Sequence, residues 1–569
     1  MVLFVIKTKM AAPLTQTMSV RICRLCARFL QRKEQIQIRC SLHNSMNENG
    51  SNNTDSSEED RMTQTSSRNF PRVEWTAENK PIKPSILASP RLFPNNARVD
   101  PAAMDKIQVT EQGPKYKKHP GVIRSRKVIE IPKLMEKALD VIYKDSGYKT
   151  LNEEGMTLYN QLTARRFPET ILSLTAKAQR LEPEIIQRLS VKQRTKLEAL
   201  VNTDSLTEED EKALRQIQLN VLDNIKRELR RTTHHNKPIV YNADFALKYT
   251  NARLIPNYSV LTQCLTEIRK RDPDFVPESV LNMGSGIGSA IWATNTVWPQ
   301  TVKQFYCVDN AMEMNKMAAR ILKEGDVNRQ NMVIPNVFFR DKLPSVQSGG
   351  FSLVICAYTL MDFPMQSERL QLVKDLWSRT NNYFVLVDVG TYNGFLAIQE
   401  ARRRLLRRDK GVDVDEMDVN IFAPCPHNQH CPKFKCGPET LPCNFQVHHQ
   451  PRRGEQQHKI FATERYSFVT FKRGDLVEDI TNTWPRIVFQ DVNEQSKKKI
   501  AHCVVCCQDG SLKNRIISRK RHGKDLYRMA CESQWGDLLP VQLNDAEKED
   551  KLDIENQSHT KAPVDVEQK

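Results

Sequence analysis

No stretch of the 569-residue sequence approaches the roughly 20 apolar residues that a membrane-spanning helix needs. The longest candidate, Ser352 to Met361, is about half that length, so no membrane insertion is expected. Glycine (20) and proline (29) are too few for a collagen-like or wholly disordered chain. The 14 cysteines are too dilute for a small disulfide scaffold, so their clustering matters more than their number. Acid is scarce at the start: residues 1–45 hold one acidic residue, Glu34, against eight basic ones. What is present in quantity is core-forming material. Hydrophobic residues make up 39%, and the length suggests two to four domains.

Charge is unevenly spread. Lys and Arg number 85 against 68 Asp and Glu, a net +17. Residues 1–45 carry +7, the last 29 residues carry −4, and the remaining body carries +14. A body that basic favours a polyanionic partner, nucleic acid first.

Texture changes along the chain. Arg21, Arg24, Arg28 and Arg32 recur at helical spacing among Val20, Ile22, Leu25, Phe29 and Leu30. An amphipathic, Arg-rich, acid-poor start reads as a mitochondrial transit peptide over 1–45. Cys23 and Cys26 lie in that removable segment and are set aside. Residues 46–70 are polar with almost no apolar content and 71–120 are Pro-rich and irregular, so 46–120 read as a disordered or irregular linker. A helical period over 121–245 predicts a helical domain, with Pro132 at a first turn and a capping box at Thr207–Asp210. From 246 to 415 short apolar strands alternate with helices, which predicts an α/β, doubly wound parallel sheet. Its strands are expected at 280–283, 305–309, 337–339, 353–357 and 383–388. Residues 416–540 form a Cys-, Pro- and His-rich region with β structure, in which 465–471 and 487–490 read as a β pair. The acidic tail, 541–569, reads as disordered.

Two groups of residues carry chemistry. Val280-Leu281-Asn282-Met283-Gly284-Ser285-Gly286-Ile287-Gly288 reads as strand, glycine loop and helix start. Glycines there let the backbone turn tightly and approach a ligand closely. Asp309 closes the next strand, where a carboxylate can accept from ribose hydroxyls. A dinucleotide is one candidate ligand, but Ser289 stands where GxGxxG needs its last glycine. The context resembles the S-adenosylmethionine-dependent methyltransferase fold more closely. That assignment makes Asn282, Gly284, Ser285, Gly286, Gly288 and Asp309 the candidate cofactor-binding set. Position 282 is usually an acid in that fold; asparagine keeps a hydrogen bond and loses the charge. No Asn-Pro-Pro-Tyr-type motif follows the fourth strand, where the sequence is Ala357-Tyr358-Thr359-Leu360. No catalytic residue is therefore assigned.

The second group is cysteine. Cys425, Cys431, Cys436 and Cys443 fall among prolines, and Cys503, Cys506 and Cys507 follow. Four thiolates select zinc or an iron–sulfur cluster. Only Cys503 and Cys506 have the two-residue gap of a zinc knuckle, so spacing leaves both metals open.

Further motifs point to a family. Phe422-Ala423-Pro424-Cys425-Pro426-His427, His502-Cys503-Val504-Val505-Cys506-Cys507, Arg521-His522-Gly523-Lys524-Asp525-Leu526-Tyr527-Arg528 and Trp535-Gly536-Asp537-Leu538-Leu539-Pro540 resemble a family of mitochondrial methyltransferase-like proteins. Asn251-Ala252-Arg253-Leu254 and the glycine loop are similar to it as well. The resemblance implies an assembly factor of the mitochondrial small ribosomal subunit in the matrix, binding its rRNA beside other assembly factors. It implies a retained S-adenosylmethionine pocket, lost transfer activity and a [4Fe–4S] cluster on Cys425, Cys431, Cys443 and Cys506, with Cys503 and Cys507 as alternatives for the last. Cys436 has no clear family counterpart. The competing expectation is an active rRNA methyltransferase. Candidate RNA contacts are Arg402, Arg403, Arg404, Arg407, Arg408, Arg452, Arg453, Arg519, Lys520 and Arg521.

Overall fold

The computed structural model describes residues 91–92, 97–105, 109–110, 113–114, 119–124, 127–169, 171–202, 207–232, 239–406, 418–436, 442–451, 460–476, 480–493 and 500–542. The expected transit peptide, nearly all of the acidic tail, and Arg407, Arg408, Arg452 and Arg453 lie outside the described residues.

Helices α1 (Lys133–Ser146) and α2 (Leu151–Thr163) open the described helical region, followed by α3 (Ile171–Gln187), α4 (Val191–Asn202) and α5 (Glu208–Thr232). At the start of α5, Asp210 N donates to Thr207 Oγ1 at 3.2 Å, the cap that the spacing predicts. Ile217, Val221, Ile225 and Leu229 recur along one face of α5 and are buried. The last three pack on Leu174, Ala178 and Ile185 of α3. The described residues form two compact units, one of them 167–232 and the other the remainder. The helical stretch 121–245 is thus divided between them. Its first helices belong with the sheet, because α1 and α2 carry apolar faces that pack there.

In the larger unit, α6 (Ala243–Arg271) starts where Asn242 Oδ1 accepts from Phe245 N at 2.8 Å. Every residue of α6 from Thr250 to Leu265 is buried, so this is a core helix rather than an amphipathic surface one. Then come β1 (Ser279–Met283), α7 (Ser289–Val297), β2 (Gln304–Val308), α8 (Met312–Leu322), β3 (Val337–Arg340), β4 (Phe351–Ala357), α9 (Gln366–Trp377), β5 (Thr380–Val389) and α10 (Tyr392–Leu406). Helix α2 packs on α6, and α1 packs on α8. Strands β6 (Val419–Ala423), β7 (Phe445–His449) and β8 (Ala462–Arg473) complete an eight-stranded sheet of order β6-β8-β5-β4-β1-β2-β3, with β7 also on β8. Strands β1 to β5 are mutually parallel, and β8 runs antiparallel to β5. Leu353 to Cys356 are all buried, as a strand covered on both faces requires.

Strands β9 (Arg486–Asn493), β10 (Ile500–Cys506) and β11 (Leu512–Ser518) form a second, antiparallel sheet that Arg91–Leu92 joins in parallel, followed by α11 (Arg519–Glu532). The pairing expected between 465–471 and 487–490 is not formed. The first segment lies in β8 and pairs with β5; the second lies in β9 and pairs with β10. Alternation identifies a strand, but the partner is set by which faces need covering.

Strand order reverses at β1, whose neighbours are β2 and β4. Ligands of open α/β sheets bind outside the carboxyl ends of the strands at such a switch point. Both the glycine loop, after β1, and Tyr358-Thr359, after β4, stand there.

Candidate cofactor pocket and thiol centre

The glycine loop is held mostly by its own backbone. Gly284 N and Ser285 N donate to Val308 O at 2.8 and 3.1 Å, and Gly288 N donates to Ser285 O at 2.9 Å. A Cβ on Gly284 would stand 2.0 Å from Thr359 Oγ1, and its φ of +66° is left-handed, so only glycine fits. At Gly286 (φ +50°) a Cβ would meet Met314 Cε at 3.7 Å and Gly284 O at 3.9 Å, ordinary contacts without a clash, so the left-handed backbone rather than crowding favours glycine there. Asp309 braces the loop: its Oδ2 accepts from Gly286 N at 2.8 Å and its Oδ1 from Ala311 N at 2.9 Å. Burial raises its carboxyl pKa, against the pull of those two N–H groups. Each oxygen keeps a lone pair for a ligand hydroxyl.

Unsatisfied polar atoms gather around this crevice. Asn282 is 3% exposed, and neither its Nδ2 nor Ser285 Oγ has a hydrogen-bond partner. Buried polar atoms are nearly always paired, so these two accommodate a ligand with donors and acceptors of its own. The loop therefore fits S-adenosylmethionine: a left-handed glycine at 286, free polar atoms at 282 and 285, and a carboxylate at 309.

Beyond β4 lies a buried group of polar and aromatic side chains. Tyr358 takes φ +57°, and the Arg253 guanidinium of α6 lies 4.6 Å from its ring centre. Arg253 Nη1 donates to Glu464 Oε1 at 2.9 Å, and both side chains are almost fully buried. Tyr159 OH donates to the other Glu464 oxygen at 2.6 Å. Asp388, at the end of β5, is buried with one oxygen unpartnered, and burial pushes its carboxyl up to about 7. Nothing in the sequence around Arg253 or Tyr358 signals that the two side chains stack. Asp388 closes an apolar strand and reads as ordinary until its burial is known.

At the other site the structure gathers Cys425, Cys431, Cys443 and Cys506 from separated stretches of chain. Cys425, Cys431 and Cys506 are buried and Cys443 is half-buried. Burial, then the neighbouring Cys443 and Cys425, push the Cys431 thiol well above its ordinary value. Burial pushes Cys443 up to about 11; Lys433 pulls it down and Cys425 pushes it further up. Cys506 is raised by burial and then by Cys425, Cys443 and Cys431. Alternation along β10 puts its cysteines on different faces. Cys506 packs with Val488, Val504 and Cys443, whereas Cys503 and Cys507 pack with Leu526 and Ala530 of α11. His427 is buried with Nε2 3.3 Å from Cys506 Sγ. Among the described residues no group of three or more His, Cys, Asp or Glu side chains stands ready to hold a metal ion. The thiols are gathered without being drawn to one centre. In donor chemistry the set fits a soft metal group: four sulfurs and no carboxylate.

Of the candidate RNA contacts, Arg519, Lys520 and Arg521 are exposed. Arg403 lies over the Phe434 ring at 5.5 Å. Arg402 is 2% exposed and cannot touch RNA, which corrects the expectation for that residue.

Strand order and pocket position define a methyltransferase-like, doubly wound α/β protein. The family described as mitochondrial small ribosomal subunit Rsm22 matches residues 243–540, and the chain belongs to that family. The human "Ribosome assembly protein METTL17, mitochondrial" is 32% identical over 81% of this chain and 92% of its own length. The Saccharomyces cerevisiae "Ribosome assembly protein RSM22, mitochondrial" is 23% identical over 50% of this chain and 65% of its own. Among solved structures, the magnesium protoporphyrin IX methyltransferase of Synechocystis PCC 6803 with bound SAM aligns at 12% identity and TM-score 0.25, over 48% of this chain and all of that one. So low a score adds nothing to what the strand order establishes.

Proposed function

We propose that this chain is an assembly factor of the mitochondrial small ribosomal subunit, acting in the matrix, that binds S-adenosylmethionine without transferring its methyl group and holds a [4Fe–4S] cluster. The observation that carries the reading is family membership together with relatives named as mitochondrial ribosome assembly proteins. Affinity for the subunit's rRNA is drawn from the basic body, through phosphate neutralisation and counterion release. Arg519, Lys520 and Arg521 are its exposed candidates. Other assembly factors are expected alongside.

S-adenosylmethionine would be held by Asn282, Ser285, the Gly284–Gly288 backbone and Asp309. It carries an activated methyl group. The acceptor side argues against transfer: the segment after β4, Ala357-Tyr358-Thr359-Leu360, carries no Asn-Pro-Pro-Tyr-type motif, and the Tyr358 ring is engaged by Arg253 of the buried Arg253–Glu464 pair. The active-methyltransferase reading draws instead on Asp388, whose unpartnered oxygen could take a proton.

Cys425, Cys431, Cys443 and Cys506 would hold the cluster, which acts structurally here. Binding would deprotonate thiols that burial keeps neutral and would tie β10 to the 425–443 loop. Cys503 and Cys507 face the other side of β10, which supports Cys506 as the fourth ligand.

The test uses the full chain purified without oxygen. Iron and sulfide content, S-adenosylmethionine binding by dialysis, methyl transfer to small-subunit rRNA and co-sedimentation with the subunit are measured together. The expected result is a brown protein that binds cofactor and subunit and transfers nothing. Robust turnover overturns the inactive reading; one zinc per chain in place of iron overturns the cluster while keeping a structural metal.

A further inference from the structure

The loop bearing Cys425 and Cys431 is clasped by buried arginines. Arg271 Nη1 donates to Phe422 O at 2.8 Å, and Arg486 Nε donates to Pro424 O at 2.8 Å. Arg402 Nη2 reaches His427 O at 3.2 Å and also donates to Gln429 O. Main-chain carbonyls on both sides of Cys425 are thus fixed by guanidinium groups from three distant parts of the chain.

The three arginines differ in how their charge is balanced. Arg271 and Arg486 share Glu267, at 2.8 Å and 2.5 Å from its Oε1. Arg402 shares nothing of the kind. Among the described residues its hydrogen bonds go to carbonyls and to no carboxylate, and its buried Nε has no partner. A guanidinium cannot shed its proton to escape burial. An unpaired charge taken out of water costs several kcal/mol, so a counter-charge is to be expected beside it. Asp509, the carboxylate near His427, is already paired with Lys513. Residues 427 and 429 lie between Cys425 and Cys431, so the Arg402 guanidinium is held on the thiol-bearing loop itself.

We infer that Arg402 is the counter-charge of the four-thiolate centre, a positioning residue for the metal group rather than an RNA contact. The inference rests on the proposal that these four cysteines hold a metal. Four thiolates outweigh the charge of a zinc ion or of an iron–sulfur core, so the loaded centre is net negative and Arg402 offsets it. Its two carbonyl bonds keep the guanidinium on the spot, and the charge then acts through space. Net charge and hydrogen bonding around the sulfurs are the terms by which a protein sets the potential of an iron–sulfur group.

The experiment compares the full chain with Arg402→Gln and Arg402→Lys, purified without oxygen. Metal release into a chelator is timed, and for an iron-bearing protein the midpoint potential is recorded. Arg402→Gln keeps a hydrogen-bond donor and drops the charge; it should release metal about 10- to 100-fold faster, the usual scale for residues that support metal ligands. Its midpoint should move to more negative potential, because the reduced centre loses a nearby positive charge. Arg402→Lys keeps the charge and should stay within a few-fold of the native rate, with the midpoint unmoved. In metal-free protein Arg402→Gln should melt no lower than the native chain, since an uncompensated buried charge has gone. Equal fast release in both variants, with lowered melting, means a mechanical clasp only and overturns the inference. So does an Arg402→Gln protein that holds metal as the native chain does. A native chain that keeps no metal overturns the four-thiolate reading, and this inference with it.

Discussion

The glycine loop and the thiol centre lie in the same compact unit but are built differently. The loop is closed by hydrogen bonds among residues 284 to 311, with Asp309 as its brace. It needs no ligand to take shape, and what it leaves unsatisfied is small: Asn282 Nδ2 and Ser285 Oγ. The thiol centre draws on the 425–431 loop, on Cys443 and on β10, and its loop is held by arginines from α6, α10 and β9. Three of its four sulfurs are buried, and they come from separate stretches of chain. One site is closed by short-range hydrogen bonds; the other is gathered by tertiary contacts.

The sharpest way to break this contrast is to remove a thiol. Cys431→Ser or Cys506→Ser should abolish metal binding in elemental analysis and loosen the 418–506 region, read as faster amide hydrogen exchange there. Small-subunit co-sedimentation should fall with it. Cys503→Ser should leave metal content unchanged, because Cys503 faces α11. Loss of metal in Cys503→Ser with retention in Cys506→Ser would reverse the assignment.

Next in size is the loop. Gly284→Ala forces a side chain into Thr359 and into a left-handed backbone, so it should cost about 2–3 kcal/mol in chemical denaturation. Gly286→Arg has room around its Cβ and should cost less, yet fill the ligand's space and abolish S-adenosylmethionine binding by equilibrium dialysis. If the two variants lose stability and binding in parallel, the loop is not preformed.

A smaller effect is pH-dependent. Burial raises the Asp388 carboxyl to about 7 in the folded chain, above its unfolded value. Between the unfolded pKa and about 7 the folded state therefore binds the extra proton, and stability falls as pH rises through that window. His119 opposes this: burial lowers it to about 4, so its contribution rises with pH from there toward its unfolded value. Asp388→Asn removes only the first slope. Its melting temperature relative to the native chain should climb from pH 5 to pH 7 and level off beyond, and a pH-independent difference would rule the buried carboxyl out as the cause.

The smallest effect should come from surface charge. Replacing Arg519, Lys520 or Arg521 with Ala should weaken rRNA binding modestly and lower the salt slope by about one for each phosphate no longer neutralised. Unchanged slopes would move the RNA face elsewhere.

How much could be read from the chain alone follows from the range of the interactions. The strands at 279–283, 304–308, 337–340, 351–357 and 380–389, the helices between them and the glycine loop were legible, because alternation, capping and turn chemistry act over a few residues. So was the bunching of the cysteines along the chain. The partner of β8 was not, since a strand's pattern states that it pairs and not with what. Nor was the long buried α6, whose polar residues Arg253, Glu267 and Arg271 disguise a core helix until their partners Glu464, Arg486 and Phe422 O are in place. Arg402 stood in a basic run and read as solvent-facing; only packing against the 424–436 loop turned it inward. Local propensity thus determined the elements and the loop, while burial and long-range pairing, which no short window of sequence contains, decided which strands pair and which charged side chains lie inside.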